Sequence, residues 1–437
     1  MTVPAQHPPV PSESGRPEAG LHRRVVVTGI GPITASGIGV DAFWAGLKAT
    51  RSPIRQITRF DASSFRSRLA AEVDGFDPLD FLEPKDASRL DRFAHFSIAA
   101  TRLALSDAAL DTTTLDPARG AIQMGSALGG IAQAEEQAGV FQQGGLRAVD
   151  PRLALSVFAG SASCRAAIST GFTGPNSTNA MSCASGTIAV GDAWRLIGSG
   201  AADVVLAGGV EAPLAPLSYG AFALIRAMST RNEEGHRACR PFDQDRDGFL
   251  MGEAACVLVL EELEHARERG AEIYAEITGF GTSNDAHHMA APRPDGLSAA
   301  RAMRAAMATA GLEPDDIDHV NAHASSTPLN DSTESRVIRQ ALGDRADHIT
   351  VTGTKPFYGH ALGASGAVEV GICALALQRQ WTPPTLNHDT PGDECDLSYV
   401  TLDSVAEEGT VPLRNVLSNS FGFGGVNASI ALSRAPS

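Results

Sequence analysis

The feature that most constrains the fold of this 437-residue chain is an internal repetition. Four segments of its first part have counterparts later in the chain, in the same order. The pairs are RVVVTGIGPIT (24–34) with YAEITGFGTSN (274–284), GAIQMGSALGG (120–130) with DHVNAHASST (318–327), SCASGTIAVGDAWRL (182–196) with GHALGASGAVEVGICAL (359–375), and ADVVLAGGVEA (202–212) with RNVLSNSFGFGGVNASI (414–430). A repeated order of this kind indicates gene duplication, so we expect two similar halves.

The segments alternate between strand-like and helix-like patterns, which predicts an α/β fold of parallel sheets covered by helices on both faces. The repeat begins again near residue 275, so we predict halves spanning residues 23–274 and 275–437. Residues 1–22 are rich in proline and lack an apolar signal core, a pattern that predicts a disordered tail. Ligands bind α/β sheets where strands end and helices begin, so we expect functional residues there.

Charge and composition exclude several classes of protein. A formal net charge of −15 argues against a nucleic-acid-binding surface. The sequence has no apolar run of the roughly 18 residues that a membrane span needs, so no membrane partner is expected. The six cysteines are scattered and form no CxxC motif, which argues against a disulfide scaffold or a zinc site and favours a cytoplasmic location.

Cys183 is the first candidate for catalysis. It lies in NAMSCASGT (179–187), at the predicted start of a helix. Most free cysteines are small core residues. Unpaired N–H groups and the helix dipole at a helix start nevertheless stabilise a thiolate, and the small residues that follow leave those N–H groups free to bind an oxyanion. From the residues alone, a core cysteine and a nucleophile remain equally open.

Two histidines favour the nucleophile. His323 ends a predicted strand in VNAHASSTP, and His360 begins a predicted helix in GTKPFYGHALGASG. A single histidine is more often structural than catalytic. The duplication, however, relates these positions to the first half. His323 ends the strand that corresponds to IQMGS, and His360 precedes a helix that corresponds to the one after Cys183. Pseudo-twofold packing is therefore expected to bring all three side chains into one cleft.

At this point the sequence resembles a known family, the elongating β-ketoacyl carrier-protein synthases of the thiolase superfamily. The resemblance covers residues 23 to 434 and depends on motifs that occur in the family's order. They are the Cys183 segment, RAMSTRN (226–232), RPFDQDRDGFLMGEA (240–254), VNAHASSTP, GTKPFYGHALGASGAVE and NSFGFGGVNAS (419–429). The resemblance implies a thiolase-like, five-layered αβαβα fold with two duplicated halves, and a dimer with the active sites near its interface.

The resemblance also implies a role for each matching residue. Cys183 would take the acyl chain from a carrier's pantetheine thiol as a thioester. His323 and His360 would bind the malonyl thioester and stabilise the enolate that forms as carbon dioxide leaves, because two N–H donors aimed at one oxygen favour the charged state. The backbone N–H groups of Cys183 and Phe423 would bind the oxyanion of the condensation step.

Further positions match residues that support this chemistry. Lys355 and Glu369 match the charged pair that orders the histidine side of the site. Phe421 and Phe423 match gating side chains, and the adjacent Gly424 allows their loop to move. The pantetheine-binding hydroxyls and the side chain that limits the acyl tunnel match the following residues: Ser325, Thr327 and Leu128.

The implied partners are an acyl carrier protein and a second subunit, either an identical chain or a subunit similar to a chain-length factor. Because carrier proteins are acidic, the entrance to the site is expected to be basic. The arginines that match docking positions are Arg66, Arg68, Arg147 and Arg226. No resident cofactor is expected, since phosphopantetheine arrives on the carrier.

Two motifs that resemble metal sites are rejected. DQDRDGFLMGEA (243–254) has Ala254 where a calcium loop requires glutamate. The adjacent His287 and His288 have no further ligand at a suitable spacing. No metal site is therefore predicted.

Three alternatives concern function. Ala324, Ser325 and Ala290 depart from residues usual in the family, which favours a type II polyketide pathway over housekeeping fatty acid synthesis by a β-ketoacyl synthase II. A non-catalytic chain-length factor is disfavoured because it would typically lack Cys183. Degradative thiolases and initiating synthases are disfavoured because the chain has GFGGVN in place of a second catalytic cysteine, and because both histidines are present.

Overall fold

The computed structural model describes residues 23–436, so the tail predicted over residues 1–22 lies outside the described residues. The strands are β1 Val25–Thr34, β2 Gly37–Ile38, β3 Arg55–Gln56, β4 Leu69–Ala70, β5 Gly120–Gly125, β6 Asn176–Asn179, β7 Val204–Glu211, β8 Ala254–Glu262, β9 Ala275–Asn284, β10 His319–Asn321, β11 Thr350–Thr352, β12 Asn415–Gly422 and β13 Val426–Arg434. The helices are α1 Val40–Lys48, α2 Pro84–Ala87, α3 Arg92–Asp107, α4 Ile131–Gly144, α5 Leu153–Ser156, α6 Ser161–Thr170, α7 Ser185–Gly198, α8 Pro216–Leu224, α9 Leu263–Glu268, α10 Leu297–Ala310, α11 Pro328–Leu342 and α12 Ser365–Arg379.

The sheet confirms the predicted duplication. From the centre outward, the N-terminal half has the order β1-β8-β7-β5-β6 and the C-terminal half has β9-β13-β12-β10-β11. In each half the first two pairings are antiparallel and the last two are parallel. The repeated segments occupy equivalent places, with β1 matching β9, β5 matching β10, β7 matching β12, and α7 matching α12.

Two details differ from the prediction. The sheets are mixed rather than parallel, because β12 connects to β13 through a three-residue turn at Phe423–Gly425 and such a short connection permits only antiparallel pairing. In addition, β1 pairs with β9 through residues 25–27 and 275–277. Backbone hydrogen bonds therefore join the two halves into one continuous eleven-stranded sheet.

The helices form the remaining layers. α7 and α12 contact each other and lie between the halves, since each packs against strands of both. α3 and α6 cover the outer face of the N-terminal half, and α10 and α11 cover that of the C-terminal half. The strands of each half form one β layer, although the two layers are joined at β1 and β9, so the order of layers is αβαβα, as expected. The boundary between residues 274 and 275 remains a prediction.

The two central helices cross at glycines. A Cβ atom on Gly186 would lie 2.7 Å from the backbone nitrogen of Ala367, and one on Gly366 would lie 2.0 Å from the Thr187 hydroxyl. Only glycine permits this approach, which places the N-terminal ends of α7 and α12 side by side. Among the described helices, none combines the length and hydropathy needed to cross a bilayer.

Candidate active site

Cys183 lies in a tight turn between β6 and α7. The turn is a single 3-10 helix, Ser182–Ala184, entered through a left-handed Ser182 with φ of 49°. Cys183 is only 5% exposed, and this burial raises the pKa of its thiol to about 12, although the charge of Lys355 and the N–H groups of Phe423 and Cys183 lower it. The expected stabilisation of a thiolate by the helix start is therefore outweighed by desolvation, and the resting thiol is protonated.

His360 is the nearest base to this thiol. Its Nε2 lies 3.0 Å from the Cys183 sulfur, and its Nδ1 lies 2.9 Å from the hydroxyl of Ser365. Burial, with a smaller effect of Lys355, holds the pKa of His360 well below its usual value. The imidazole is therefore neutral, so it can accept the thiol proton or donate an N–H bond.

His323 completes the group from the C-terminal half. It follows β10, and its ring lies 5.3 Å from the ring of His360 in an edge-to-face arrangement. Its pKa is also well below the usual value because of burial, followed by the charges of Lys355 and His360. Ala324 and Ser326 both have positive φ values, 44° and 65°. Such strain in non-glycine residues is characteristic of functional loops.

Lys355 and Glu369 form a fully buried ion pair behind His323. The ammonium lies 2.5 Å from the Glu369 carboxylate and 3.4 Å from Nδ1 of His323, and it also donates to the His323 carbonyl. Burial raises the pKa of Glu369, while Lys355 opposes that rise. Because Lys355 can only donate, Nδ1 of His323 acts as an acceptor, which leaves the proton on Nε2.

Two buried glutamates were missed by the sequence analysis. Glu211, at the end of β7, accepts the backbone N–H groups of Ala127, Leu128 and Gly363. Glu334 accepts the N–H groups of His323 and of the residue that follows it. Burial raises the pKa of each carboxyl to about 7, although their N–H donors lower it. Glu211 could have been noticed in the sequence, because it is a charged residue at the end of an otherwise apolar strand.

A cavity of about 400 Å³ opens onto the reactive groups. The predicted site residues that line it are Cys183, His323, His360, Ser325, Thr327, Phe421, Phe423, Gly424 and Arg226. The hydroxyls of Ser325 and Thr327 lie 2.9 Å apart on its wall. The three reactive side chains thus meet in one cleft supplied by both halves.

The loop after β12 covers one side of this cavity. The Phe423 ring stacks 6.1 Å from that of Phe222, and the Phe421 ring lies 6.1 Å from the imidazole of His323. Gly424 has φ of 82°, and a side chain there would meet no neighbouring atom. Both aromatic side chains line the cavity beside Cys183 and His323, Phe421 from the end of β12 and Phe423 from the turn that follows it.

Leu128, the residue predicted to limit the acyl tunnel, does not line this cavity. It packs half-buried against an apolar cluster that contains Cys183 and several aromatic side chains. The members of that cluster from α8 and its surroundings are Leu214, Tyr219, Phe222, Ala223 and Phe249. This cluster has the apolar character that an acyl chain requires, and Glu211 fixes the backbone of Leu128 beside it.

The four arginines do not lie together at the cavity. Arg226 is exposed and lines it. Arg68 forms an ion pair with Glu233 at 3.0 Å, while Arg66 and Arg147 are exposed and do not line the cavity. Only Arg226 therefore stands at the entrance itself.

The ligating atoms of Cys183, His323 and His360 lie within 4.8 Å of one another, which is also compatible with a metal site. The ammonium beside Nδ1 of His323 argues against a metal, because it keeps the proton on the nitrogen that would have to ligate. The adjacent His288 accepts the N–H groups of Ala290 and Ala291, so its ring already supports a turn. The absence of a resident metal remains a prediction.

Family models match both halves of the chain. The model described as the beta-ketoacyl synthase N-terminal domain matches residues 22–266, and the one described as the beta-ketoacyl synthase C-terminal domain matches residues 274–389. A curated relative from Synechocystis sp., 3-oxoacyl-[acyl-carrier-protein] synthase 2, is 44% identical over 94% of this chain and 98% of its own length.

Solved structures give the same result. A type II PKS ketosynthase in complex with its acyl-carrier protein, bound to the hexaketide, has a TM-score of 0.87 and 32% identity over 95% of this chain and 100% of its own. The ishigamide ketosynthase/chain length factor has a TM-score of 0.87 and 36% identity, with the same coverage. With the Cys-His-His cleft and the duplicated αβαβα layers, these matches show that the chain belongs to the β-ketoacyl synthase family, whose members are ketosynthase acyltransferases.

Proposed function

We propose that this ketosynthase elongates acyl chains by decarboxylative Claisen condensation of a malonyl thioester with an acyl group held on Cys183. The observation that carries the proposal is the 3.0 Å contact between the Cys183 sulfur and Nε2 of His360, with His323 beside them in one buried cleft. A nucleophile, a base and a second N–H donor are the groups that the two steps need.

In the first step, Nε2 of His360 accepts the thiol proton and the Cys183 sulfur attacks the carrier-bound acyl thioester. The new carbon–sulfur bond forms as the carrier's bond breaks, and the pantetheine thiolate leaves and takes up a proton. The N–H groups of Phe423 and Cys183 both face the sulfur closely enough to lower its pKa, which supports their role as donors to the oxyanion.

In the second step, the malonyl thioester loses carbon dioxide and its C2 carbon becomes an enolate. Neutral His323 and His360 donate Nε2–H bonds to the enolate oxygen, and the Lys355 contact at Nδ1 of His323 supports this tautomer. The enolate carbon attacks the Cys183 thioester, and the Cys183 thiolate leaves and takes up a proton. That proton comes from water, since the loss of carbon dioxide from a carboxylate consumes one proton overall. The two thioesters, water and the side chains then supply every atom, so the reaction needs no resident cofactor.

The partners follow from this chemistry. Both thioesters arrive on an acyl carrier protein, whose phosphopantetheine arm is the group that Ser325 and Thr327 would bind. We place Arg226 at the docking surface, with Arg66, Arg68 and Arg147 further from the entrance. The leucine at position 128 limits the depth of the acyl tunnel.

The location that we propose is the cytoplasm. Six free cysteines in the described chain are consistent with a reducing compartment of this kind.

For the pathway, we propose type II polyketide synthesis, because the likeness to a type II PKS ketosynthase structure and to a ketosynthase/chain length factor structure extends over 95% of the chain. Housekeeping fatty acid synthesis by a β-ketoacyl synthase II is the second candidate, favoured by the 44% identity to 3-oxoacyl-[acyl-carrier-protein] synthase 2. The non-catalytic role of a chain-length factor is disfavoured by the complete Cys-His-His set.

A reconstitution with acyl and malonyl carrier proteins tests the function. We expect a 3-oxoacyl carrier product, release of carbon dioxide, and the acyl mass on the peptide that contains Cys183. Cys183→Ala is expected to lose product, while Cys164→Ala, which changes an exposed cysteine, is the matched control. An acyl adduct confined to another cysteine would contradict the proposal. Several successive condensations on one chain, in a reaction that contains no ketoreductase, would support the polyketide assignment. A reaction that stops after one condensation until a ketoreductase is added would favour fatty acid synthesis.

A further inference from the structure

Ser365 is a polar side chain of the site to which the proposed chemistry assigns no role. It is the first residue of α12 and is fully buried. Its hydroxyl oxygen lies 2.9 Å from Nδ1 of His360, and within the described chain this is the hydrogen bond that it makes. A buried hydroxyl needs a partner, and here that partner is a catalytic ring rather than the backbone.

The equivalent serine in the N-terminal half makes a different hydrogen bond. Ser185 occupies the equivalent place at the start of α7, and its hydroxyl donates to the Ser182 carbonyl at 2.7 Å. The matching carbonyl in the C-terminal half belongs to Leu362, yet the Ser365 hydroxyl binds His360 instead. The same residue therefore stabilises a backbone turn in one half and an imidazole in the other.

We propose that Ser365 is a positioning residue that supports both forms of His360 required by the two steps of the reaction. A hydroxyl can donate or accept, so by rotating it can accept from an Nδ1–H or donate to an unprotonated Nδ1. A backbone N–H at the same place could only donate, and a methyl group could do neither. This inference rests on the proposed function of the Cys183 and His360 pair.

Each form of the ring matches one step. When Nε2 takes the proton from the Cys183 sulfur, His360 becomes an imidazolium, and its Nδ1–H donates to the Ser365 oxygen. When Nε2 carries the proton and donates to the enolate, Nδ1 has a lone pair that accepts from the Ser365 hydroxyl. After the first carrier leaves and before the second one binds, the ring exchanges protons with water in the cavity. Ser365 itself neither gains nor loses a proton.

Other charged groups around His360 are unchanged by a substitution at Ser365. Cys183 faces the ring from the turn before α7, His323 faces it from the loop after β10, and Lys355 acts on it from the 3-10 turn at Lys355–Phe357. The Lys355 ammonium is held by Glu369 and not by Ser365. Glu211 acts on Cys183 from the end of β7 and makes its hydrogen bonds with groups other than Ser365. A difference in the titration of Cys183 between the wild-type protein and a Ser365 variant therefore reports the lost contact to His360.

Alkylation of Cys183 by iodoacetamide as a function of pH, read by peptide mass mapping, tests the proposal without carriers or condensation. In Ser365→Ala the imidazolium loses a hydrogen bond to a charged group, so we expect Cys183 alkylation near neutral pH to slow by about tenfold or more and its pH profile to move upward. Ser365→Thr keeps the hydroxyl and is expected to recover most of the rate.

The matched control is Ser97→Ala in α3, which removes another fully buried hydroxyl that donates to a backbone carbonyl far from the cavity in the outer layer. It is expected to keep the wild-type profile. If Ser365→Ala folds with an unchanged profile, or loses rate equally at every pH together with a lower melting temperature, the positioning role is wrong. A wild-type protein that alkylates at Cys183 but makes no 3-oxoacyl product would instead contradict the proposed function.

Discussion

At the scale of single residues, burial determines which side chains of the site carry a proton. Cys183, His323 and His360 were predicted from local sequence and from the duplication, because both fix where a side chain stands along an element. The protonation of Cys183 was not predictable in the same way. The helix start favours a thiolate and burial favours a thiol, and only the structure shows that burial is nearly complete. In the proposed reaction, Cys183 therefore depends on His360 for its activation.

The buried carboxyl of Glu211 gives a prediction about pH and stability. Its pKa is raised to about 7 from an ordinary value of 4.5, so the folded protein holds this proton more tightly than the unfolded chain does. The resulting stability is fully present below pH 4.5 and is lost as the pH rises through about 7. Glu211→Gln exchanges no proton there, so its free energy of unfolding should fall less across that window.

Urea unfolding at pH values below and above the window measures this difference. Glu268→Gln, which changes an exposed glutamate of α9, is the control and should keep the slope of the wild-type protein. If Glu211→Gln and the wild-type protein lose stability equally over the window, Glu211 does not carry this proton.

At the scale of elements, the two central helices begin in the same way. Ser182 and Leu362 have φ values of 49° and 41°, each is the first residue of a 3-10 turn, and each turn continues into the helix. The sequence predicted the helices and their correspondence. It could not predict the left-handed residues, because neither is glycine and the surrounding packing imposes their conformation.

The turn before Cys183 can be tested at Ser182. A β-branched residue tolerates positive φ poorly, so Ser182→Val should lower the free energy of unfolding by about 1–2 kcal/mol and slow the alkylation of Cys183. Ser182→Gly adopts the same φ without strain and should keep the wild-type alkylation rate. Urea unfolding and alkylation rates measure both effects, and equal behaviour of the two variants would show that this backbone conformation is not required.

The loop after β5 gives a prediction about chain length. Leu128 packs against the apolar cluster around Cys183, so Leu128→Phe should fill space that a long acyl chain needs. We expect loading of long acyl carriers onto Cys183 to fall by roughly tenfold, in the range of overpacking costs, while short chains load normally. Loading rates for both lengths, measured beside the melting temperature, test this expectation. A uniform loss with reduced stability would show that Leu128 is only a core residue.

At the scale of the whole molecule, the duplication was readable because strand ends, glycine turns and helix starts leave short local signals. The antiparallel pairings and the β1–β9 junction could not be predicted from the sequence, since they depend on how distant segments meet.

The outer edge of the sheet is also a property of the whole molecule. β6 pairs only with β5 among the described strands, so its other edge presents unpaired backbone groups.

Exposed apolar side chains are frequent in the part of the sequence that leads into β6 and leaves it. They lie between residues 141 and 181 and are Phe141, Leu146, Leu155, Val157, Phe158, Ile168 and Met181. An apolar surface beside an unpaired strand is typical of a protein interface. We therefore expect β6 and its surroundings to form the dimer interface, with an identical chain or with a chain-length-factor-like subunit.

Charge placed on this surface should prevent dimerisation without unfolding the chain. Phe141 and Ile168 are 53% and 76% exposed, so Phe141→Asp with Ile168→Asp removes little from the core but adds two charges that an interface would have to desolvate. Sedimentation equilibrium should give twice the chain mass of 45.5 kDa for the wild-type protein and the single mass for the variant. Leu79→Asp, which changes a 54% exposed leucine outside this surface, should remain dimeric. A wild-type protein that stays monomeric at micromolar concentration, both alone and when mixed with a chain-length-factor-like subunit, would contradict this placement of the interface.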